Sequence, residues 1–214
     1  MNARALLSPV TSPARRAGLA LLLALFCLLP VAGAQSAPDE RRKKDNVATA
    51  INVQDSTHVS AFAWKISKQR GGVVDHVNHA YARASCVDCG ASAIAFQIVL
   101  ASGSPSPVVP QNLSEAYNIE CTGCVAVAEA RQFVRVLEQP AKFTDAGRAV
   151  LNDVRETLRA LDPATLTVAG LHEVVEQQEA RVEQVLDHEL VMKSEPDTES
   201  TVVESELFQS TDAG

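Results

Sequence analysis

Alternating hydrophobic and polar residues dominate the chain from about His58 onward, and a helical period replaces them after Pro140. In the first alternating segment the larger hydrophobic residues share one face: Phe62, Trp64 and Ile66. A period of two is typical of a strand with one buried side. Gly71-Gly72 closes the segment and predicts a hairpin turn, because glycine adopts the backbone conformations that tight turns require.

The strongest pattern is a repeat whose two copies lie 35 positions apart, between Cys86 and Val134. From the second cysteine onward every second residue recurs, whereas intervening residues differ, as Phe96 does from Arg131. Such identity indicates strands, since alternate side chains share a face. We expect the small, repeated face to lie against another backbone element. The recurring residues are Cys86, Cys89, Ala91, Ala93, Ala95, Gln97 and Val99, and then Cys121, Cys124, Ala126, Ala128, Ala130, Gln132 and Val134.

Each Cys-x-x-Cys motif is therefore predicted to be a turn that leads into a strand. Val87-Asp88 would close a second hairpin, between a strand region at 73–85 and a strand at 91–101. The second copy would turn at Thr122-Gly123 and continue as a strand at 125–137. Residues 58–138 are thus predicted to form antiparallel β-hairpins with two Cys-x-x-Cys turns as an internal repeat.

After Pro140 the hydrophobic residues recur every three or four positions, which predicts two amphipathic helices. Thr144 and Asp145 supply the capping chemistry of the first helix, and Asp162-Pro163 ends it. A second helix begins at about Val168. The predicted buried stripes are Val150, Leu151, Val154, Leu158 and Leu161, followed by Leu171, Val174, Val175, Gln178, Val182, Val185, Leu186 and Leu190.

The first 34 residues have the three parts of a signal peptide: basic residues, an apolar run from Ala17 to Leu29, and Ala32-Gly33-Ala34 as the cleavage site. The whole chain is predicted to be an α+β protein. We expect a signal peptide at 1–34, a flexible linker at 35–57, the cysteine-paired β domain at 58–138, a helical hairpin at 139–193 and a disordered acidic tail at 194–214.

Removing the signal peptide leaves 16 basic residues against 26 acidic ones. This net negative charge argues against nucleic acid as a partner. The expected location is secreted or in the cell envelope, with a protein or an envelope component as partner. Contact with a membrane would require that the signal segment stay uncut.

Cleavage also removes Cys27 and leaves four cysteines in an oxidising compartment. Two local disulfides are the favoured arrangement, joining Cys86 to Cys89 and Cys121 to Cys124. A zinc site made by all four thiolates, crossed disulfides and a redox-active pair are the alternatives. No catalytic residue and no cofactor besides the alternative zinc is predicted.

The segment from about residue 58 to 162 resembles the exported C-terminal region of actinobacterial peptide zinc metalloprotease proteins. The resemblance rests on the double Cys-x-x-Cys motif, on 93–100 (AIAFQIVL) and on Gln132-Phe133-Val134. It implies an exported cysteine-paired domain without the protease domain. The sequence favours a non-enzymatic interaction module; the alternative is an accessory, thiol-active or zinc-binding protein that works with an exported-peptide metalloprotease system.

Overall fold

The computed structural model describes residues 44–192 and the backbone of a strand at 203–213. These residues form strands and two helices, numbered along the chain. The strands are β1 (Asn46–Asn52), β2 (Thr57–Arg70), β3 (Val77–Ala84), β4 (Gly90–Ser102), β5 (Gln111–Asn118), β6 (Val125–Leu137), β7 (Ala141–Phe143), β8 (Leu190–Met192) and β9 (Val203–Ala213); the helices are α1 (Asp145–Arg159) and α2 (Val168–His188).

The first six strands wind as three coils, each of which contributes one strand to each of two sheets. The first sheet has the order β1-β3-β5, and the second has the order β6-β4-β2-β9. Strands from successive coils pair in parallel, whereas β9 is antiparallel to β2. Strands β7 and β8 form a separate antiparallel pair beside the helices.

The predicted antiparallel hairpins are wrong, because no two consecutive strands among β1 to β6 pair with each other. Gly71 and Gly72 have φ of +58° and +68°, so they do form a tight turn. That turn leads the chain from one sheet to the other instead of folding it back on its neighbour. The Cys-x-x-Cys segments likewise lie between sheets, with Val87 and Thr122 paired as an isolated parallel bridge.

The parallel stacking explains why the repeat preserves every second residue. Gly90 pairs with Val125 and Gln97 with Gln132, an offset of 35 positions that superposes the two copies. The repeated alanines point between the sheets and belong to one buried cluster with alanines of β1 and β3. The expectation of a close backbone approach is therefore confirmed. The inward alanines include Ala48, Ala50, Ala80, Ala82, Ala61, Ala63, Ala93 and Ala95.

A ladder of asparagines joins the three coils on the inward side of the first sheet. Asn46 Nδ2 donates to Asn78 Oδ1 at 2.8 Å, and Asn78 Nδ2 donates to Asn112 Oδ1 at 2.8 Å. Asn78 Nδ2 also lies 3.0 Å from the carbonyl oxygens of Ala95 and Arg131, which belong to the opposite sheet. The ladder thus ties the coils to one another and the two sheets together.

The helical hairpin packs on the outer side of the second sheet, as the predicted stripes require. Both helices begin at threonine caps, with Thr144 Oγ1 accepting from Gly147 N and Thr167 Oγ1 accepting from Gly170 N. Their buried residues form one cluster with the aromatic and aliphatic side chains of β2, β4 and β6. Its largest members on the sheet are Phe62, Trp64, Phe96 and Phe133.

Two predicted boundaries differ from the structure. Strand β1 lies inside the predicted linker at 35–57, and β9 lies inside the predicted disordered tail. Both segments have few large hydrophobic residues, but each forms backbone hydrogen bonds with a neighbouring strand, β1 with β3 and β9 with β2. The predicted signal peptide lies outside the described residues. Among those that are described, no helix is both long and apolar enough to cross a membrane.

Candidate binding face

The two Cys-x-x-Cys turns stack on each other at one end of the coils. The structure places the sulfur atoms at disulfide distance within each motif, with Cα atoms 5.9 Å apart for Cys86 and Cys89 and 6.0 Å apart for Cys121 and Cys124. Cys86 and Cys89 are buried, and Cys86 Sγ lies 3.4 Å from the carbonyl oxygen of Asn52. Cys121 and Cys124 are half-buried on the last coil. These cysteines therefore line the interior and the end of the fold.

Gly90, directly after the first motif, and Gly123, inside the second, each make room for a side chain of the neighbouring turn or coil. A Cβ atom on Gly90 would lie 2.2 Å from His58 Nδ1, and one on Gly123 would lie 2.1 Å from Asp88 Oδ1. The imidazole of His58 contacts the buried Ser92, with Nε2 and Oγ 3.0 Å apart. Gly90 thus leaves room for the His58 ring beside β4, which is a packing role.

We expect Gly90→Ala to destabilise the fold by about 1–2 kcal/mol, because the new methyl group overlaps the imidazole ring. A double-mutant cycle with His58→Ala separates this clash from any other effect of the substitution. Denaturant midpoints of the two single variants and the double variant provide the measurement. The expected result is that Gly90→Ala costs much less in the His58→Ala background; equal costs in both backgrounds would contradict the assigned clash.

A cleft of about 460 Å³ opens beside this cluster, between the first residues of β2, β4 and β6 and the link between the helices. Its strand side is polar, with Thr57, His58 and Ser92, and its helix side is apolar, with Pro163, Leu166 and Leu171. Ser92 on β4 is buried, and its hydroxyl contacts the imidazole of His58 on β2. The geometry of this pair fits a packing contact at the end of the second sheet.

The outer side of the first sheet has a different character, because no described residue packs over it. We call this surface the open face. Large hydrophobic side chains on it are substantially exposed, among them Val47 at 43%, Leu113 at 42% and Tyr117 at 45%. The outward residues, taken strand by strand, are Val47, Thr49 and Ile51 on β1, Val77, His79, Tyr81 and Arg83 on β3, and Gln111, Leu113, Glu115 and Tyr117 on β5.

The rings on the open face form a connected group. The centroids of Tyr81 and Tyr117 are 5.8 Å apart with a 45° tilt, and those of His79 and Tyr81 are 6.2 Å apart. His79 Nε2 lies 2.9 Å from Glu115 Oε2, and the Tyr117 hydroxyl donates to Glu115 Oε1 at 3.4 Å. The Glu115 carboxylate raises the pKa of Tyr117, because phenol ionisation would place two negative charges side by side.

Arg83 is the exception in this network. Its register partners are Ile51 and Tyr117, and it makes no hydrogen bond or ion pair with any described residue. Its Nε atom is buried and has no acceptor. The Nη atoms of Arg83 are not buried and have no partner among the described residues, so this guanidinium is the group on the open face best suited to bind an external anion.

The four predicted cysteine ligands of the alternative zinc site do not come together as one cluster. Their sulfur atoms pair within each motif, and the part of the chain that the structure describes contains no group of three or more His, Cys, Asp or Glu side chains that could hold a metal. Asn78, Tyr81, Arg83 and Tyr117 were absent from the sequence-based site. The recurrence of Asn-x-Ala-x-Ala at 46 and 78 is the signal that could have revealed the ladder and, with it, the face.

Comparisons with known protein families, with curated proteins and with solved structures found no match for this chain. The resemblance to the C-terminal region of peptide zinc metalloprotease proteins therefore stays a prediction.

Proposed function

We propose that this chain is an exported, non-enzymatic interaction module of the cell surface or its surroundings, and that it binds its partner on the open face. The observation that carries the proposal is the contrast between the two outer surfaces. Helices α1 and α2 cover the second sheet, whereas exposed tyrosine, leucine, isoleucine and valine side chains remain on the first. A contiguous exposed apolar patch with polar groups among its members is typical of a binding surface.

The cysteines have a structural role in this proposal. Disulfides at Cys86–Cys89 and Cys121–Cys124 would hold the shape of two stacked turns, and the burial of the first pair supports this role. A working thiol would need an accessible thiolate, which a buried cysteine beside a carbonyl oxygen does not favour. The two disulfides would stay oxidised in an exported compartment and would stabilise the coils that present the open face.

The state of the cysteines provides the first test. Alkylation of the native, exported protein without reductant is expected to modify none of the four cysteines, and peptide mass measurement should find each motif linked internally. Reduction in denaturant should then expose four thiols. Four thiols that react only after chelation, together with the release of one zinc ion per chain, would establish the metal-binding alternative. Catalysis of insulin reduction by the native protein would support the thiol-active alternative.

The second test examines the open face itself. Purified protein is mixed with envelope material from the source organism, and the sedimented fraction is measured for the wild type and for Tyr81→Ser/Tyr117→Ser. We expect the double substitution to reduce binding about tenfold, while its denaturant midpoint stays close to that of the wild type, because both rings are on the outside. Val136→Ser is the matched control, since Val136 is 56% exposed on the other sheet. Equal binding by all three proteins, or by none, would refute the proposal.

A further inference from the structure

The size of the open face limits what can bind there. Three strands about 4.8 Å apart and about eight residues long make a face roughly 14 Å wide and roughly 26 Å long. A slender ligand that lies along the strands fits these dimensions.

The hydrogen-bonding capacity of the face narrows the choice further. The backbone groups of β3, the central strand, are used by its neighbours β1 and β5. An extended peptide obtains much of its affinity from main-chain hydrogen bonds at a sheet edge, and the middle of this face offers none. The face offers side chains instead: aromatic rings near the centre, with an imidazole, a carboxylate, a guanidinium and a hydroxyl around them.

A sugar ring matches this arrangement. It has one apolar C–H side that can lie on an aromatic ring and hydroxyl groups around its rim that can bond to polar side chains. Tyr81 and Tyr117 are close enough to act as one platform. The charge on the platform is unbalanced, because Glu115 already contacts His79 and Tyr117, whereas Arg83 has no partner among the described residues.

We infer that the open face binds a carboxylated glycan chain, with a sugar ring on Tyr81 and Tyr117 and a carboxylate on the Arg83 guanidinium. This inference rests on the proposed function and names the ligand class of the same face. A carboxylate can accept two parallel hydrogen bonds from a guanidinium, which gives the acidic sugar an advantage over a neutral one. The ligand would thus be selected both by its ring and by its charge.

The test uses titration calorimetry on the full exported chain with defined probes. Tetragalacturonate and a hyaluronan tetrasaccharide supply the carboxylated rings, the methyl ester of tetragalacturonate supplies a neutral match, and tetraglutamate supplies the same charge on a peptide. We expect at least one acidic glycan to bind about tenfold more tightly than both the methyl ester and tetraglutamate.

Single substitutions assign the effect to the two parts of the site. Arg83→Gln should weaken the acidic glycan about tenfold and remove its advantage over the methyl ester, whereas Tyr117→Ser should weaken both about equally. Arg148→Gln, which changes an exposed arginine of α1, is the matched control and should change neither. Unaltered binding by Arg83→Gln, or tighter binding of tetraglutamate than of either glycan, would overturn the inference.

The result also separates this inference from the proposed function. If neither acidic glycan binds while retention on envelope material still depends on Tyr81 and Tyr117, the inference is wrong and the interaction module stands. If retention does not depend on these tyrosines either, both are wrong.

Discussion

Asn78→Ala is expected to reduce the free energy of unfolding by about 3–5 kcal/mol, because it removes the central member of the asparagine ladder. Asn78 is completely buried. Its amide group accepts from Asn46, donates to Asn112, and contacts two carbonyl oxygens of the opposite sheet. Alanine would leave these groups without one of their partners, and the bonds to Asn46 and to the Ala95 carbonyl are buried. Each buried unpaired polar group costs about 1–3 kcal/mol.

Denaturant unfolding followed by circular dichroism measures this loss. Asn118→Ala is the control of matched chemistry, because Asn118 is exposed at the end of β5 on the last coil. We expect this control to change the midpoint little. Equal destabilisation by the two substitutions would show that the ladder contributes nothing beyond an ordinary asparagine in a strand.

The sequence was sufficient to identify most strands between 57 and 137 and both helices, because periodicity reports which residues share a face. It did not reveal how the strands pair. An antiparallel hairpin and a turn between two sheets use the same glycines, so Gly71-Gly72 could not distinguish them. The 35-residue repeat contained the missing information, since self-similarity at a fixed period of this size is typical of stacked coils.

The two sides of the second sheet explain why only half of the repeat is preserved. Ala95 and Ala130 face the same alanine-lined interior, so the same residue fits in both coils. Phe96 and Arg131 face outward and meet different surroundings: Phe96 is buried beneath the helices, while Arg131 pairs with Glu129 and Glu179. The residues that recur in both copies therefore lie on the side that faces the first sheet, and the residues that differ lie on the side that faces the helices.

The open face was beyond prediction from hydrophobic pattern alone. In most sheets the larger apolar side chains are buried and the smaller or polar ones are outside. In β1 the order is reversed, since Ala48 and Ala50 are inside while Val47 and Ile51 are outside. The reversal follows from the close approach of the sheets, which leaves space only for alanine and for the asparagine ladder. To identify such a face one must know which strands pair, and the hydrophobic pattern of each strand does not contain that information.

Ala93→Leu is the second substitution for which we expect a large effect, a loss of about 3 kcal/mol in the free energy of unfolding. Ala93 is completely buried in the middle coil and pairs in register with Ala61 on one side and Ala128 on the other. The first sheet lies opposite, also lined by alanine. Leucine would add an isopropyl group where every neighbouring position is already filled, so one of the sheets would have to move.

Ala128→Leu provides the matched comparison, because Ala128 occupies the same position on the last coil and is only half-buried. Its added carbons can extend toward the open end of the coils, so we expect a cost of about 1 kcal/mol. Denaturant midpoints of the two variants decide the matter. A clearly lower midpoint for Ala93→Leu than for Ala128→Leu would show that the two sheets of the middle coil are too close for a side chain larger than alanine. Unchanged midpoints in both variants would show that the interior can accommodate leucine.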